Sequence, residues 1–245
     1  PMVRDMQKPL RILLVLSTFF IVAGFGGSDR LFAPKQDLWE YWETHDPNSV
    51  DVIDHSLWDD FLKKHLIIKK GKVARIDYGN IPLESRVQIA SYIKSAYNLK
   101  ISTYNRQEQR AFWVNLYNAY IVKIVMDHYP LESIKDISLG FFSSGPWSET
   151  IVWVEDKEIS FTDIEHRILR PIWQDARIHY ALNCASLGCP PLQPRAMSAA
   201  NTENYLESGA EVFINSPRGI VIDKNNVSVS KIYDWFIDDF GGDEK

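Results

Sequence analysis

Cysteine is scarce in this sequence of 245 residues, which has only Cys184 and Cys189. Two cysteines cannot form the disulfide framework of a small secreted scaffold, and their spacing is not the Cys-x-x-Cys of a redox enzyme. Neither a second cysteine pair nor a close histidine pair accompanies them to complete four zinc ligands. We therefore expect no metal site and no bound cofactor.

Basic residues are also fewer than acidic residues. The chain has 27 Lys and Arg against 32 Asp and Glu, a formal net charge of -5. Binding to phosphate needs a positive field, so the sequence predicts no nucleic-acid partner. The chain also has no internal repeat and no low-complexity stretch, and 45% of its residues are hydrophobic. Its length is enough to bury one good core, and one domain is the simplest interpretation.

Only one long apolar run is present, "ILLVLSTFFIVAGF" at residues 12–25, with Arg4, Lys8 and Arg11 before it. A basic region, an apolar region and small residues after it are typical of a signal peptide, which we place at residues 1–27. No cysteine follows the run, which excludes a lipoprotein anchor. We expect export to the bacterial periplasm or the extracellular space. The alternative is a retained anchor and contact with the membrane through it, although the run is shorter than the roughly 20 residues of a spanning helix.

The remaining sequence divides into a lead-in segment at residues 28–52 and a globular domain at residues 53–240. Within the domain, "RQEQRAFWVNLYNAYIVKIVMDHYP" is a long, mostly apolar stretch that predicts a central helix ending near Pro130. "TIVWV" and the residues after it predict a β-hairpin. These elements indicate a mixed α/β (α+β) fold, a single domain with a central helix packed on a small, mostly antiparallel sheet.

Three further segments complete the prediction. "SFTDIEHRILRPIW" predicts a helix with Ser160 or Thr162 as its N-cap, ending at Pro171. "RIHYALN", residues 177–183, is apolar enough for a buried strand, and "KIYDWFIDDF" at residues 231–240 predicts a final helix.

Four motifs carry a resemblance to a known family: "DHSLWDDFLKK", "AFWVNLYNAYIV", "SFTDIEHRILRP" and "RIHYALNCASLGCPPL". Together they resemble the domain of unknown function 547 family over about Ile53 to Phe240. The resemblance implies a mixed α/β fold that is remotely similar to papain-like and transglutaminase-like thiol enzymes, and no agreed activity. In those enzymes the nucleophile lies at the start of the central helix, where this chain has Asn115 and no cysteine.

A catalytic interpretation starts from Cys184, because a thiol nucleophile needs a neighbouring imidazole or helix N-terminus to lower its pKa. His179 is the base closest in sequence. On a straight strand, however, two positions five apart lie on opposite faces and roughly 16 Å apart. The alternative base is His166, with Glu165 or Asn118 to orient the imidazole.

Other interpretations of these residues remain open. Asn115 and Asn118 are three apart and share a helix face, where they could hold a ligand amide or tie the helix to neighbouring backbone. A ligand could also contact His166 and Arg177, or these residues and Glu165 could belong to salt bridges. Their proposed roles are therefore catalytic for Cys184, His179, Glu165 and Asn118, and ligand-binding for Asn115, His166 and Arg177.

Cys184 and Cys189 could also form a disulfide, since the short loop between them includes Gly188 and the Cα atoms could approach the roughly 5.5 Å that the bond requires. Such a bond would leave no nucleophile. The sequence thus favours a domain that binds a peptide, glycan or protein ligand on a thiol-enzyme-like scaffold. The alternative is a Cys-dependent hydrolase or acyl transferase acting on an amide bond, with Cys184 as nucleophile.

Overall fold

The computed structural model describes residues 33–69, 73–137, 145–224 and 226–242, so the predicted leader at residues 1–27 lies outside the described part. Within these ranges no helix is long and apolar enough to cross a membrane. The α-helices are α1 (Ser56–His65), α2 (Leu83–Ser95), α3 (Arg106–His128), α4 (Arg170–Trp173), α5 (Ile178–Ala181), α6 (Thr202–Ile214) and α7 (Lys231–Trp235). The strands are β1 (Leu66–Ile67), β2 (Arg75–Ile76), β3 (Val152–Val154), β4 (Lys157–Ile159), β5 (Ile220–Asp223) and β6 (Asn226–Val229).

Helix α3 is the predicted central helix, and most of its residues are buried. Its N-cap is Asn105, whose side chain accepts hydrogen bonds from the backbone N–H groups of Gln107 and Glu108, both at 3.1 Å. These bonds satisfy two donors that have no partner inside the helix. Because Trp113 and Tyr117 are only 1% and 2% exposed, α3 forms the centre of the main core.

The predicted mixed α+β single domain is confirmed, and within the described residues its strands form three separate antiparallel pairs: β1–β2, β3–β4 and β5–β6. The β3–β4 pair is the hairpin that the sequence predicts. Its two turn residues, Glu155 and Asp156, have φ of 47° and 59°, the pair of positive values that a type I′ hairpin turn requires.

The helix predicted to begin after Ser160 or Thr162 is capped by Ser160. Its hydroxyl accepts from the N–H of Asp163 at 3.1 Å, and the Asp163 carboxylate accepts from the N–H of Ser160 at 2.9 Å. The prediction that Pro171 ends the helix is wrong, because a π-helix over Asp163–Leu169 continues as α4 to Trp173.

The continuation past Pro171 has a physical explanation. A proline has no N–H, so it cannot donate to the carbonyls of His166 and Arg167, the acceptors one turn earlier. Both carbonyls instead accept from the lead-in segment, from the N–H groups of Asp37 at 3.1 Å and Trp39 at 3.0 Å. The lead-in segment thereby satisfies acceptors that Pro171 leaves without a donor.

Two other segment predictions are wrong. Residues 177–183 do not form a strand: α5 is a single helical turn in which the N–H groups of Ile178, His179 and Tyr180 bond to carbonyls three residues earlier. A short run that is buried on every side has no period that would distinguish a helix from a strand. The last predicted helix is shorter than expected, since α7 ends at Trp235 and turns follow.

Candidate functional site

Six polar side chains meet where the π-helix, α3, α5 and the end of the chain come together. We call them the histidine cluster; they are Tyr117, Glu165, His166, Arg170, His179 and Asp239. The π-helix supplies Glu165 and His166, and α4 supplies Arg170, which lies on the same helix face as His166 because the two are four residues apart.

The carboxylate of Asp239 lies at the centre of the strongest interactions in the cluster. It accepts from Nε of Arg170 at 2.6 Å and from a terminal nitrogen of the same guanidinium at 3.1 Å, so the pair is bidentate. Nε2 of His179 donates to it at 2.7 Å and Nε2 of Gln36 at 2.8 Å. The Arg170 and Asp239 side chains are 4% and 7% exposed.

These donors decide the charge state of Asp239. Burial alone would raise the pKa of the carboxyl, but the hydrogen bonds from His179, Arg170 and Gln36 outweigh it and lower the pKa well below its ordinary value. Asp239 is therefore a carboxylate whenever the domain is folded near neutral pH. It also neutralises Arg170, whose burial without a partner would be costly.

Both ring nitrogens of His179 face carboxylates. While Nε2 donates to Asp239, Nδ1 lies 3.8 Å from Oε1 of Glu165. The ring is stacked on Phe236, with the centroids 4.2 Å apart and the planes 13° from parallel. His179 is thus fixed in orientation. Because Nε2 donates its hydrogen to Asp239, any base at this ring would have to be Nδ1, which faces Glu165.

His166 contacts the terminal nitrogen of the Arg170 guanidinium that does not bond to Asp239. A terminal N–H of Arg170 donates to Nδ1 of His166 at 3.0 Å, so this nitrogen is an acceptor and the ring is neutral. Burial lowers the pKa of His166, and the guanidinium of Arg170 lowers it further. Tyr117 completes the cluster by donating its hydroxyl to Oε2 of Glu165 at 3.3 Å.

The cluster contains two histidines and two carboxylates, a composition that could suit a metal ion. Among the residues that the structure describes, however, no group of three or more His, Cys, Asp or Glu is arranged to hold one. The guanidinium of Arg170 explains this, because it bonds to both Asp239 and His166 and places a fixed positive charge between them.

The two asparagines of α3 bond to backbone rather than to the cluster. Nδ2 of Asn118 donates to the carbonyl of Ala181 at 2.8 Å, and its Oδ1 accepts from the N–H of Asn183 at 2.9 Å. Asn115 makes the same pair of bonds with the carbonyl and N–H of Met197, at 2.8 and 2.9 Å. Each amide thus ties a buried loop to the central helix.

Cys184 and Cys189 form a disulfide, with their Cα atoms 5.9 Å apart, so the predicted bond is present. The loop around it is held by Asn183, whose side chain donates to the carbonyl of Pro190 at 2.7 Å and accepts from the N–H of Ala185 at 3.0 Å. In this state Cys184 has no thiol. A thiol mechanism at this position would therefore require reduction first.

Arg177 belongs to a different group of charges. Its guanidinium donates to Asp175 at 3.0 and 2.8 Å and lies 3.0 Å from Glu203. Asp175 also bonds to Arg110 at 2.6 Å, and although burial opposes the effect, the hydrogen bonds of Arg177 and Arg110 lower the pKa of this carboxyl to about 2.

Of the candidate residues named from the sequence, the structure thus brings Glu165, His166 and His179 into one cluster and leaves Asn115 and Asn118 outside it. Asp239 and Gln36 were missed. Asp239 lies in the aromatic stretch "WFIDDF", where nothing distinguishes it from the adjacent Asp238. Beside the cluster is a cavity of about 370 Å³. It is lined by Gln36, Arg170, Gln174, Asp175, Asp238 and Asp239.

Comparison with known proteins gives one result. Residues 101–214 match the family model described as "Protein of unknown function, DUF547", and this range includes five of the six cluster residues but not Asp239. Searches of curated proteins and of solved structures return no match. The predicted resemblance to the domain of unknown function 547 family is thus confirmed over residues 101–214, which contain three of the four sequence motifs.

Proposed function

We propose that the protein is an exported domain that binds a polar, charged peptide in the cavity beside the histidine cluster, on a scaffold that resembles the thiol enzymes but without their chemistry. The observation that carries this proposal is the pairing of Cys184 with Cys189. It removes the only candidate thiol nucleophile, while His179 has a carboxylate at each ring nitrogen.

The lining of the cavity indicates the class of ligand. Sites for drug-sized molecules are mostly apolar and aromatic, with few polar groups. All six side chains that line this cavity are instead charged or carry amides. A lining of this kind suits a ligand with many hydrogen-bonding groups and charges of its own, which a peptide has. It offers no aromatic face against which a sugar ring could stack.

Export is supported by the disulfide and by the predicted leader, because disulfides persist in oxidising compartments and are rare in the cytosol. If the leader is cleaved, the intact mass of the protein recovered from the periplasm or medium should correspond to a start after about Gly27. Protein recovered only from the cytoplasm, with both thiols free, would contradict export.

Binding can be tested by NMR titration of the oxidised protein with short peptides of acidic, basic and neutral sequence. We expect one charge class to shift the signals of Gln36, Gln174 and Asp238, the exposed residues of the cavity. Asp238→Lys should change the affinity for that class several-fold. Asp223→Lys makes the same charge change at an exposed position that does not line the cavity, and it should leave the affinity unchanged.

Two results would count against the proposal. The first is that no class of peptide perturbs the cavity. The second is that peptides are hydrolysed by the reduced protein and not by the oxidised protein, with the activity lost in Cys184→Ser, which would support the thiol hydrolase instead.

A further inference from the structure

We propose that Arg170, His179 and Gln36 form a carboxylate-binding site, that Asp239 occupies it as an internal ligand, and that a carboxylate of the peptide takes its place when the end of the chain moves away. That the ligand is a peptide rests on the proposed function. The carboxylate class rests on the geometry of the site itself.

The donors around Asp239 match the two oxygens of a carboxylate. The guanidinium of Arg170 presents two N–H groups, one to each oxygen, at 2.6 and 3.1 Å. His179 adds a second donor to Oδ2 at 2.7 Å, and Gln36 adds a second to Oδ1 at 2.8 Å. Planar, bidentate recognition of this kind is what arginine provides and lysine does not.

The rest of the cluster keeps Arg170 in place independently of Asp239. One terminal nitrogen of the Arg170 guanidinium donates to the carbonyl of Pro34 at 2.8 Å and to Nδ1 of His166 at 3.0 Å. The guanidinium therefore has two partners outside residues 230–242, whereas the His179 ring stacks on Phe236 and loses this contact when those residues move. Preorganised donors lower the cost of ordering a site when a ligand binds.

The occupant belongs to residues 230–242, which we call the C-terminal segment. Side chains hold it to the domain: Phe236 and Phe240 lie 4.2 and 5.5 Å from the His179 ring centroid, and Asp239 bonds to Arg170. None of the residues of α7 is buried. The backbone hydrogen bonds after it are local, such as those from Asp239 to Phe236 and from Gly242 to Ile237, at 2.9 and 2.8 Å. Side chains of this segment pack on a small hydrophobic cluster that is separate from the main core: Ile232, Tyr233 and Phe240 lie against Tyr180, Ala210 and Phe213.

An incoming ligand would have direct access to the site. Arg170 and Asp239 both line the cavity, so a carboxylate that enters it reaches the guanidinium without crossing the core. Arg170 and His179 lie within the residues that match the family, whereas the match ends at residue 214, before the segment that supplies Asp239. Arg170 and His179 thus lie in the matched region, whereas Gln36 and the occupant Asp239 lie outside it.

Asp238 opposes binding of an acidic ligand, because it is an exposed carboxylate that lines the same cavity. Asp175 opposes it less, since Arg110 and Arg177 neutralise it. Asp238→Lys replaces this repulsion with attraction, so the affinity for acidic peptides should rise.

The site itself is tested by chemical rescue with a small carboxylate. In Asp239→Ala the pocket for the carboxylate is empty, and acetate should refill it. We expect 0.1 M sodium acetate to raise the Tm of this variant by about 2–4 °C relative to sodium chloride at equal ionic strength, with saturation. The wild-type protein, whose site is filled, and Asp239→Ala/Arg170→Gln, which lacks the guanidinium, should show no such difference.

If Asp239→Ala does not fold, Asp239→Asn serves in its place. It keeps the shape of the side chain while removing its charge, so it should bind an acidic peptide at least tenfold more tightly than the wild type does. The matched control peptide has Asn and Gln in place of Asp and Glu and an amidated C-terminus, and it should bind neither protein.

The outcomes separate the two proposals. Folded Asp239→Ala without a specific effect of acetate, or Asp239→Asn without a gain for acidic peptide, overturns the carboxylate site. Rescue by acetate without binding of any peptide supports the carboxylate site and overturns the peptide-binding function.

Discussion

Nε2 of His179 donates to Oδ2 of Asp239 at 2.7 Å, although 60 positions separate the two residues. This bond fixes the imidazole and directs one ring nitrogen away from any substrate, while Glu165 lies near the other nitrogen. A thiol mechanism would consequently need reduction of the Cys184–Cys189 bond, and any base at His179 would have to be Nδ1, since Nε2 donates its hydrogen to Asp239. Binding in the adjacent cavity requires neither reduction nor a free base.

The disulfide predicts how the two sulfurs react and what they contribute. In the folded, oxidised protein neither cysteine should react with iodoacetamide, whereas both should react after reduction and unfolding. Replacing both by serine should lower the free energy of unfolding by about 2 kcal/mol, because the bond restricts a short loop in the unfolded chain. Denaturant unfolding of the two proteins measures the difference. Rapid labelling of Cys184 in untreated native protein would contradict the prediction.

Asn118 should be a stabilising residue. Asn118→Ala leaves the carbonyl of Ala181 and the N–H of Asn183 without their partners, at a cost of about 1–3 kcal/mol for each buried group. We expect a loss of about 2–5 kcal/mol in denaturant unfolding. Asn98→Ala, at an exposed position, should change stability by less than about 0.5 kcal/mol. If Asn118→Ala unfolds like the wild type but no longer binds ligand, Asn118 contacts the ligand instead.

An element of this fold can be predicted from the sequence only where its local pattern distinguishes a helix from a strand. The central helix is predictable because its apolar length, the polar residues before it and the proline after it all agree. The hairpin is predictable from its β-branched residues and turn. The segment around His179 is not, since four consecutive buried residues fit a helical turn as well as a strand.

The candidate site shows the same limit. Glu165 and His166 stand out as polar residues on a mostly apolar helix, and His179 as a polar residue in an apolar run. Asp239 does not, because its role depends on a contact with Arg170 across 69 positions. Such tertiary contacts have no local signature, so the most important ion pair of the cluster becomes visible only in the structure.

Substitutions at Tyr117 test whether α3 forms the core of the domain. The ring of Tyr117 is packed in the core, with the Phe161 ring centroid 5.1 Å away, and its hydroxyl reaches Glu165 at 3.3 Å. Tyr117→Ala should destabilise the domain by about 3–5 kcal/mol because it leaves a large cavity. Tyr117→Phe keeps the packing and removes only a long hydrogen bond, so we expect a loss of no more than about 1.5 kcal/mol. A melting temperature that Tyr117→Ala leaves unchanged would show that the ring is not core.

The free energy of unfolding should depend on pH through His55, which is buried against Tyr92. Its Nδ1 lies 2.8 Å from the Tyr92 hydroxyl, and its Nε2 has no hydrogen-bond partner among the described residues, so a charged ring would leave a donor unpaired. Burial lowers the pKa of His55 to about 4, from 6.5 in the unfolded chain.

Between pH 6.5 and 4 the unfolded state binds a proton at His55 that the folded state does not bind. The free energy of unfolding therefore falls as the pH falls through this window, by up to about 3 kcal/mol from this residue, and His55 contributes no further loss below it. The lowered pKa of His166 acts in the same direction. Asp239 is separate, because its lowered pKa makes its contribution disappear only below the unfolded value of about 4.

Urea unfolding at pH 7 and pH 5 measures the effect. His55→Gln should flatten the dependence on pH, leaving the part that comes from other groups such as His166. His45→Gln, which replaces an exposed histidine, should keep the wild-type dependence. If the wild type and His55→Gln lose the same stability between pH 7 and 5, His55 becomes protonated in the folded state as readily as in the unfolded state, and its burial against Tyr92 does not exclude the charge.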